Sequence, residues 1–247
     1  MNAINDAVHK QTYLIHSYEV DARGRARPNL LLCFMLDSAW SHVKDSDFSF
    51  STLREEGQLW VLSRFLAVFH KMPKWNDEIL VETWGKGTDT LFGLRDFIIY
   101  SQTGEKLVSA TSAWLIIDRI TSRIQRIDKL NRNFPLQLER HEINVKLQKI
   151  ESQPADQTDF EYVVRYTDLD VNKHVNSSKY MQWILDSFPI DFLDTKTLKS
   201  LEIDFLAEAQ LNDKISVHAA FDDDHFYCEV KRERDNAELC RAKVIWE

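Results

Sequence analysis

A repeat constrains this chain more than any other feature. Residues 13–40 read YLIHSYEVDARGRARPNLLLCFMLDSAW, and residues 161–189 read EYVVRYTDLDVNKHVNSSKYMQWILDSFP. Each copy opens on an alternating strand ending at Tyr18 or Tyr166, crosses a polar loop and enters an apolar stretch carrying Leu-Asp-Ser. The likeness runs on. Arg64-Phe65-Leu66-Ala67 matches Asp204-Phe205-Leu206-Ala207, and Asn76-Asp77-Glu78-Ile79 matches Asn212-Asp213-Lys214-Ile215. Phe92 to Asp118 and Phe226 to Trp246 each read as two long strands around a polar turn. Self-similarity over such a span means two units of one plan, each a strand, a helix and four strands. A chain of 247 residues has room for two small domains.

The helices have local signals. Pro28 suits a first helical turn, where its missing N–H is no loss. Asn176 or Ser177 can cap the second helix, Tyr180, Ile184 and Phe188 form one apolar stripe, and Pro189 stops it. Ile79, Val81 and Thr83 alternate, as do Ile215, Val217 and Ala219. One helix packed on one mostly antiparallel sheet in each half is an α+β plan. The expected division is a first unit at 1–125, a linker at 126–155 with a helix over 134–149, and a second unit at 156–247.

Composition closes off several classes. Net charge is −8, from 31 basic and 39 acidic residues, which disfavours broad nucleic-acid binding. No apolar run approaches the roughly 18 residues of a membrane span, and the first residues lack a signal-peptide pattern. The six glycines stop at Gly104, and Gly85-Lys86-Gly87 falls short of a phosphate-binding loop. Neither GxSxG nor HExxH occurs. Cys33, Cys228 and Cys240 form no CxxC, so a reducing cytoplasm is expected and no metal or cofactor is called for. Between Arg119 and Lys149 eight Lys or Arg face three acids, a local +5. That segment reads either as a solvated surface or as a docking patch for an acidic partner.

The segment Asp168-Leu169-Asp170-Val171-Asn172-Lys173-His174-Val175-Asn176 carries the chemistry. If it is extended, Asp168, Asp170, Asn172 and His174 share one side, just before a helix N-terminus. A carboxylate, an amide and an imidazole there can position a water and a polarised carbonyl. The alternative is a capped turn in which the polar groups bond local backbone. A calcium loop is disfavoured, because Lys173 and Lys179 stand where it needs Gly and Glu. The matching loop of the first half reads Ala22, Gly24, Ala26, without polar side chains, which favours chemistry in the second half. Glu208 falls opposite Val68 in what reads as a buried strand, where desolvation would raise its pKa unless it is partnered. The alternative for Glu208 is an edge-facing surface residue.

These residues resemble the acyl-acyl carrier protein thioesterases of plant plastids and bacteria. The likeness lies in Asp168 to Asn176, Lys179-Tyr180 and Trp183-Ile184-Leu185, and in Ser17-Tyr18-Glu19, His42-Val43-Lys44, Pro73-Lys74-Trp75 and Thr83-Trp84. It covers nearly the whole chain. It implies tandem hotdog folds, an acyl carrier protein as partner and hydrolysis of a fatty acyl thioester on its phosphopantetheine arm. The family's catalytic residues fall on Asp170, Asn172, His174 and Glu208. A cysteine that the family carries beside that glutamate is Ala209 here, which argues against a cysteine nucleophile. Leu31 and Met35 in the first half, with Tyr180 and Trp183 in the second, are expected to shape the acyl pocket. An acyl-CoA thioesterase and a non-catalytic acyl-thioester sensor are the rival readings. A homodimer of tandem chains is a further expectation.

Overall fold

A computed structural model describes residues 7–130, 134–153, 158–222 and 225–247. The chain divides into two compact units, Met1–Leu147 and Gln148–Glu247. Most of the stretch expected as a linker therefore belongs to the first unit.

In the first unit β1 (His9–Leu14) leads to α1 (Pro28–Val43), a short α2 (Phe50–Glu55), and the strands β2 (Gln58–Phe69), β3 (Glu78–Asp89), β4 (Phe92–Ser101) and β5 (Lys106–Asp118). A two-residue β6 (Ile124–Gln125) pairs with β5. The antiparallel order is β1-β3-β4-β5-β2. The second unit repeats it with β7 (Thr158–Val163), α3 (Ser177–Asp186), a short α4 (Ile190–Thr195), β8 (Leu198–Phe205), β9 (Lys214–Asp222), β10 (His225–Arg232) and β11 (Ala237–Trp246). Its order is β7-β9-β10-β11-β8. The α+β plan expected from the repeat holds in both units, with α2 and α4 as additions.

Each long helix lies on its sheet through an apolar stripe. Pro28 opens α1, Leu31, Met35, Ala39 and Val43 recur every fourth residue and are all buried, and the helix packs on β1 and β3. In α3 the Asn176 side chain accepts from Ser178 N at 2.9 Å, and the Ser187 hydroxyl closes the far end on Ile184 O before Pro189. Tyr18 and Tyr166 do not end strands. They sit in single 3-10 turns, Ser17–Glu19 and Tyr166–Asp168, with exposed side chains.

Equivalent hydrogen bonds inside each unit show which residues correspond in the repeat. His70 and Lys71 N–H both donate to Leu107 O, at 2.9 and 3.1 Å. Leu206 and Ala207 N–H donate to Leu239 O at the same two distances. Phe69 therefore answers Phe205, since each ends its strand. The expected match of Phe65-Leu66-Ala67 to Phe205-Leu206-Ala207 is four residues out, because β2 is longer than β8.

The helix expected over 134–149 does not form. Residues 134–147 run as an irregular strap whose backbone groups are taken up by the sheet. Gln137 N–H donates to Gly85 O, Glu142 N–H to Asp96, Trp84 Nε1 to Arg140 O, Lys86 Nζ to Ile143 O and Arg64 Nη1 to Leu147 O. Carbonyls held from outside cannot close a helix ladder. The strap lies close on Gly85, where a Cβ would stand 2.8 Å from the end of the Leu136 side chain and push it aside. Under the strap Lys86 Nζ lies 2.8 Å from buried Asp96 Oδ1, off the line of a hydrogen bond, and donates to Thr111 Oγ1 at 2.8 Å. The basic residues of the strap pair within the unit, Arg140 with Glu82 and Lys146 with Asp89.

Candidate active site

Asp170 organises the loop before α3. Its Oδ1 accepts from Asn172 N at 2.8 Å and from His174 N at 3.1 Å, while Asp170 N–H donates to His174 O at 2.7 Å. The chain reverses at Lys173, whose φ is 66°. The loop is thus a closed turn, and Asp168, Asp170, Asn172 and His174 do not line one side of an extended segment. Asp168 is buried, accepting from Arg165 N and facing Lys179, so it holds structure. The α3 N-terminus is also largely occupied, because Asn176 takes Ser178 N–H with its side chain and Lys179 N–H with its carbonyl.

The first unit builds the same turn. Asp21 Oδ1 accepts from Arg23 N and Arg25 N at 2.8 and 2.9 Å, and Gly24 reverses the chain at φ 72°. Asp21, Arg23 and Arg25 therefore answer Asp170, Asn172 and His174. The apparent lack of polar side chains at Ala22, Gly24 and Ala26 came from a comparison one residue out of step. What distinguishes the second loop is an amide and an imidazole in place of two guanidinium groups.

Glu208 does not lie in a buried strand. It follows β8 in an irregular segment with its side chain 47% exposed. Its neighbours are pinned on several sides: Ala209 N–H donates to Tyr180 OH at 2.9 Å, Val175 N–H donates to Ala209 O, and Arg232 Nη1 donates to Glu208 O. This anchoring brings Glu208 Oε2 to 3.2 Å from His174 Nδ1. By the register above, Glu208 answers Met72, not Val68, and Ala209 answers Pro73. Pro73 has no N–H, and the position of Tyr180 is held there by Leu31. Burial pushes the Tyr180 phenol up, so it stays a neutral acceptor for Ala209. No described residue bonds the Asn172 side-chain amide.

The expected pocket residues take other places. Trp183 is buried between Tyr162 and Tyr180, with ring centroids 5.4 and 5.2 Å away. Leu31 and Met35 are buried on the inner face of α1, away from the cavity described next. A cavity of about 300 Å³ lies instead at the C-terminal end of α1, walled by Ala39, Trp40, Phe48, Trp60, Trp114 and Phe134. Asp128 stands at its exposed rim, and Arg95 is the charged group on its buried wall. Arg95 Nη1 donates to His42 Nδ1 and Thr83 Oγ1, both at 3.1 Å. Burial lowers the Arg95 pKa to about 10, which leaves it charged at neutral pH. Reading the repeat through Leu-Asp-Ser sets Ala39 opposite Phe188, a signal that marks this space in the sequence. In the second unit Phe188 meets Phe226 and Trp246 at 5.0 and 5.3 Å, filling the corresponding region.

Comparison with known proteins assigns both units. Residues 6–132 match the family model "Acyl-ACP thioesterase N-terminal domain" and residues 151–247 the "Acyl-ACP thioesterase C-terminal domain". The chain is 30% identical over 217 residues to a palmitoyl-acyl carrier protein thioesterase of Arabidopsis thaliana, covering 81% of this chain and 52% of that protein. Over 222 residues it is 30% identical to an oleoyl-acyl carrier protein thioesterase of the same plant, covering 83% of this chain and 60% of the relative. The chain thus spans roughly half to three fifths of the length of these plant proteins. The crystal structure of an acyl-ACP thioesterase from Bacteroides thetaiotaomicron aligns at a TM-score of 0.87 with 27% identity, over 99% of this chain and 100% of the other. The fold is the tandem hotdog.

Proposed function

The chain belongs to the acyl-ACP thioesterase family, and from that premise we propose that it hydrolyses the thioester of a fatty acyl-acyl carrier protein, releasing free fatty acid and so ending chain elongation. The observation that carries this reading is the contact of His174 with Glu208, two groups brought together from distant segments and present in one unit only. In the proposed reaction the Glu208 carboxylate takes a proton from water, whose oxygen bonds to the thioester carbonyl carbon. The tetrahedral intermediate collapses, the carbon–sulfur bond breaks, and the proton passes from Glu208 through the His174 imidazole to the departing sulfur. Asn172, whose amide has no described partner, orients the water or the carbonyl oxygen. Asp170 acts as a positioning residue, because its Oδ1 holds the backbone of both Asn172 and His174. The aromatic cavity of the first unit receives the acyl chain, an apolar hollow of the kind that suits an alkyl ligand.

The reading places the protein in the cytoplasm, in keeping with three free cysteines and the absence of any described helix long and apolar enough to cross a membrane. The test is thiol release from acyl carrier protein loaded with chains of graded length, set against matching acyl-CoAs. Faster release from the carrier supports the proposal, with Glu208→Gln and His174→Ala each lowering kcat about a hundred-fold or more. Near-wild-type turnover by both variants would overturn the assigned chemistry, and equal or faster release from CoA would overturn the carrier assignment.

A further inference from the structure

We propose that Arg232 is a positioning residue for the reaction, a clamp that sets the place of the Glu208 carboxylate by holding its backbone. The inference rests on the acyl-thioester chemistry assigned above. Glu208 lies past the end of β8, outside any strand ladder. Among the described residues Arg232 is the hydrogen-bond partner of its backbone, with Nη1 donating to Glu208 O at 2.8 Å. The Arg232 side chain is 13% exposed, and its plane is fixed from the other side, where Nε and Nη2 donate to the two Asp235 oxygens at 2.9 and 2.7 Å. A fork seated on a carboxylate through two bonds has one orientation, and that orientation aims Nη1 at the glutamate. Buried Asp213 stands beside the same nitrogen, with Oδ2 3.7 Å from Nη1, and accepts from Gln210 N at 2.9 Å. One network thus ties the turn between β10 and β11 to the segment that carries Glu208.

The first unit keeps the frame without the clamp. Ser101 pairs with Ile79 and Arg232 with Ile215, residues that correspond in the repeat. Both strands also shift register at the matching place, between Ile99 and Tyr100 and between Val230 and Lys231. Ser101 therefore stands where Arg232 does. Its hydroxyl is spent inside its own hairpin, on Thr103 Oγ1 and Glu105 N–H at 2.9 and 3.1 Å. Asp77 still closes its turn as Asp213 does, accepting from Lys74 N at 2.8 Å. That turn forms without an arginine, so folding of the turn alone does not call for one. The arginine occurs in the unit where a carboxylate meets an imidazole, and it holds the peptide of that carboxylate. With the carbonyl released, the 3.2 Å approach of Glu208 to His174 loses its support from that side. A reacting group displaced by about 1 Å can lose on the order of a hundred-fold in rate.

The experiment compares Arg232→Met, Arg232→Lys and Arg234→Met in the full chain, each alone and combined with Glu208→Gln. The readouts are steady-state thiol release from acyl-carrier substrate and the melting temperature. Arg232→Met is expected to lower kcat about ten-fold with KM little changed, since no group assigned to acyl binding is touched. Arg232→Lys should recover part of the loss, because an ammonium can serve Glu208 O but cannot also form the fork on Asp235. Arg234→Met is the control. Arg234 Nη1 lies 2.9 Å from Asp213 Oδ1 and does not bond Glu208, so kcat should stay close to wild type. Combined with Glu208→Gln, which leaves no side chain able to take the proton, Arg232→Met should lower kcat no further. An equal loss in both backgrounds would overturn the proposal and make Arg232 a support of the hairpin alone. A lowered melting temperature with unchanged kcat would overturn it too, as would a like loss of kcat from Arg234→Met. Wild-type turnover by Glu208→Gln alone would overturn the assigned chemistry instead, leaving the clamp nothing to hold. Should Arg232→Met fail to fold, Arg232→Lys decides, with about a three-fold loss expected when alone and none beside Glu208→Gln. Equal losses from Arg232→Lys in the two backgrounds would overturn the proposal.

Discussion

In both units a carboxylate closes the turn ahead of the long helix, Asp21 in the first and Asp170 in the second. In both, the residue two places after that turn's reversal donates its N–H to a carbonyl beyond the second strand of the unit, Ala26 to Pro73 O and Val175 to Ala209 O. The backbone device is one and the same, and the side chains on it differ. One copy carries Arg23, Arg25 and Met72, and the other carries Asn172, His174 and Glu208. Under the helices the difference reverses, with a hollow beside Ala39 and a packed cluster around Phe188. The two frames share this backbone device, and a few side chains decide which of them carries the hollow and which the proposed chemistry.

The largest effect is expected from erasing that division at the site. Giving the second unit the residues of the first, His174→Arg with Glu208→Met, should lower kcat on acyl-carrier substrate by about a hundred- to ten-thousand-fold. Both side chains are partly exposed, so circular dichroism and the melting temperature should stay close to wild type. A double variant that keeps even a tenth of its turnover would break the comparison. Next comes Phe188→Ala, which copies Ala39 into the second unit. It removes a ring packed against Phe192, Phe226 and Trp246 and should cost about 3–5 kcal/mol by denaturant titration. A much smaller loss would mean that the cluster closes over the gap, and that the second unit is less tightly filled than the first is hollow.

Tyr180→Phe tests how the glutamate is held. Without the phenol oxygen the buried Ala209 N–H loses its acceptor, at a cost of about 1–3 kcal/mol. Because Ala209 adjoins Glu208, kcat should fall as well while KM changes little. Leu31 and Pro73 hold the corresponding places in the first unit, and neither a leucine side chain nor a proline nitrogen can make such a bond. Stability loss without any change in kcat would leave Tyr180 a core residue and nothing more.

Much of this was legible in the residues, and the failures have physical causes. The repeat, the helices and their proline and asparagine signals were readable because each rests on short-range geometry. The pairing of His174 with Glu208 was foreshadowed by the family resemblance, yet burial of Glu208 was misjudged because Phe-Leu-Ala recurs at two different depths along β2 and β8. The strap at 134–147 reads as a helix in the sequence because the partners that hold it extended, Trp84, Lys86 and Asp96, are remote in sequence. Its apolar residues in fact alternate, as Leu136 and Leu138 do and as Ile143, Val145 and Leu147 do, the period of an extended chain. The cavity went unread because Leu31 and Met35 look like pocket residues in a list of apolar side chains, while a hollow arises where a small residue, Ala39, stands among large ones.

The smallest expected effect sharpens the comparison most. Asp21→Ala and Asp170→Ala remove the same two backbone hydrogen bonds from the same turn, so each should cost about 1–2 kcal/mol of stability. The replacement at Asp21 also loses an ion pair with Arg25 at 2.7 Å, which is partly exposed and adds little. Equal destabilisation would confirm that the turn is a structural inheritance common to both frames. Function should then separate them. Releasing the second turn frees the backbone of Asn172 and His174, so kcat should fall several-fold beyond what the lost stability explains. Releasing the first turn touches no group assigned to the reaction, and kcat should stay within error. Equal kcat losses in the two variants would mean that the first turn also serves the reaction, and the division of labour between the frames would have to be redrawn.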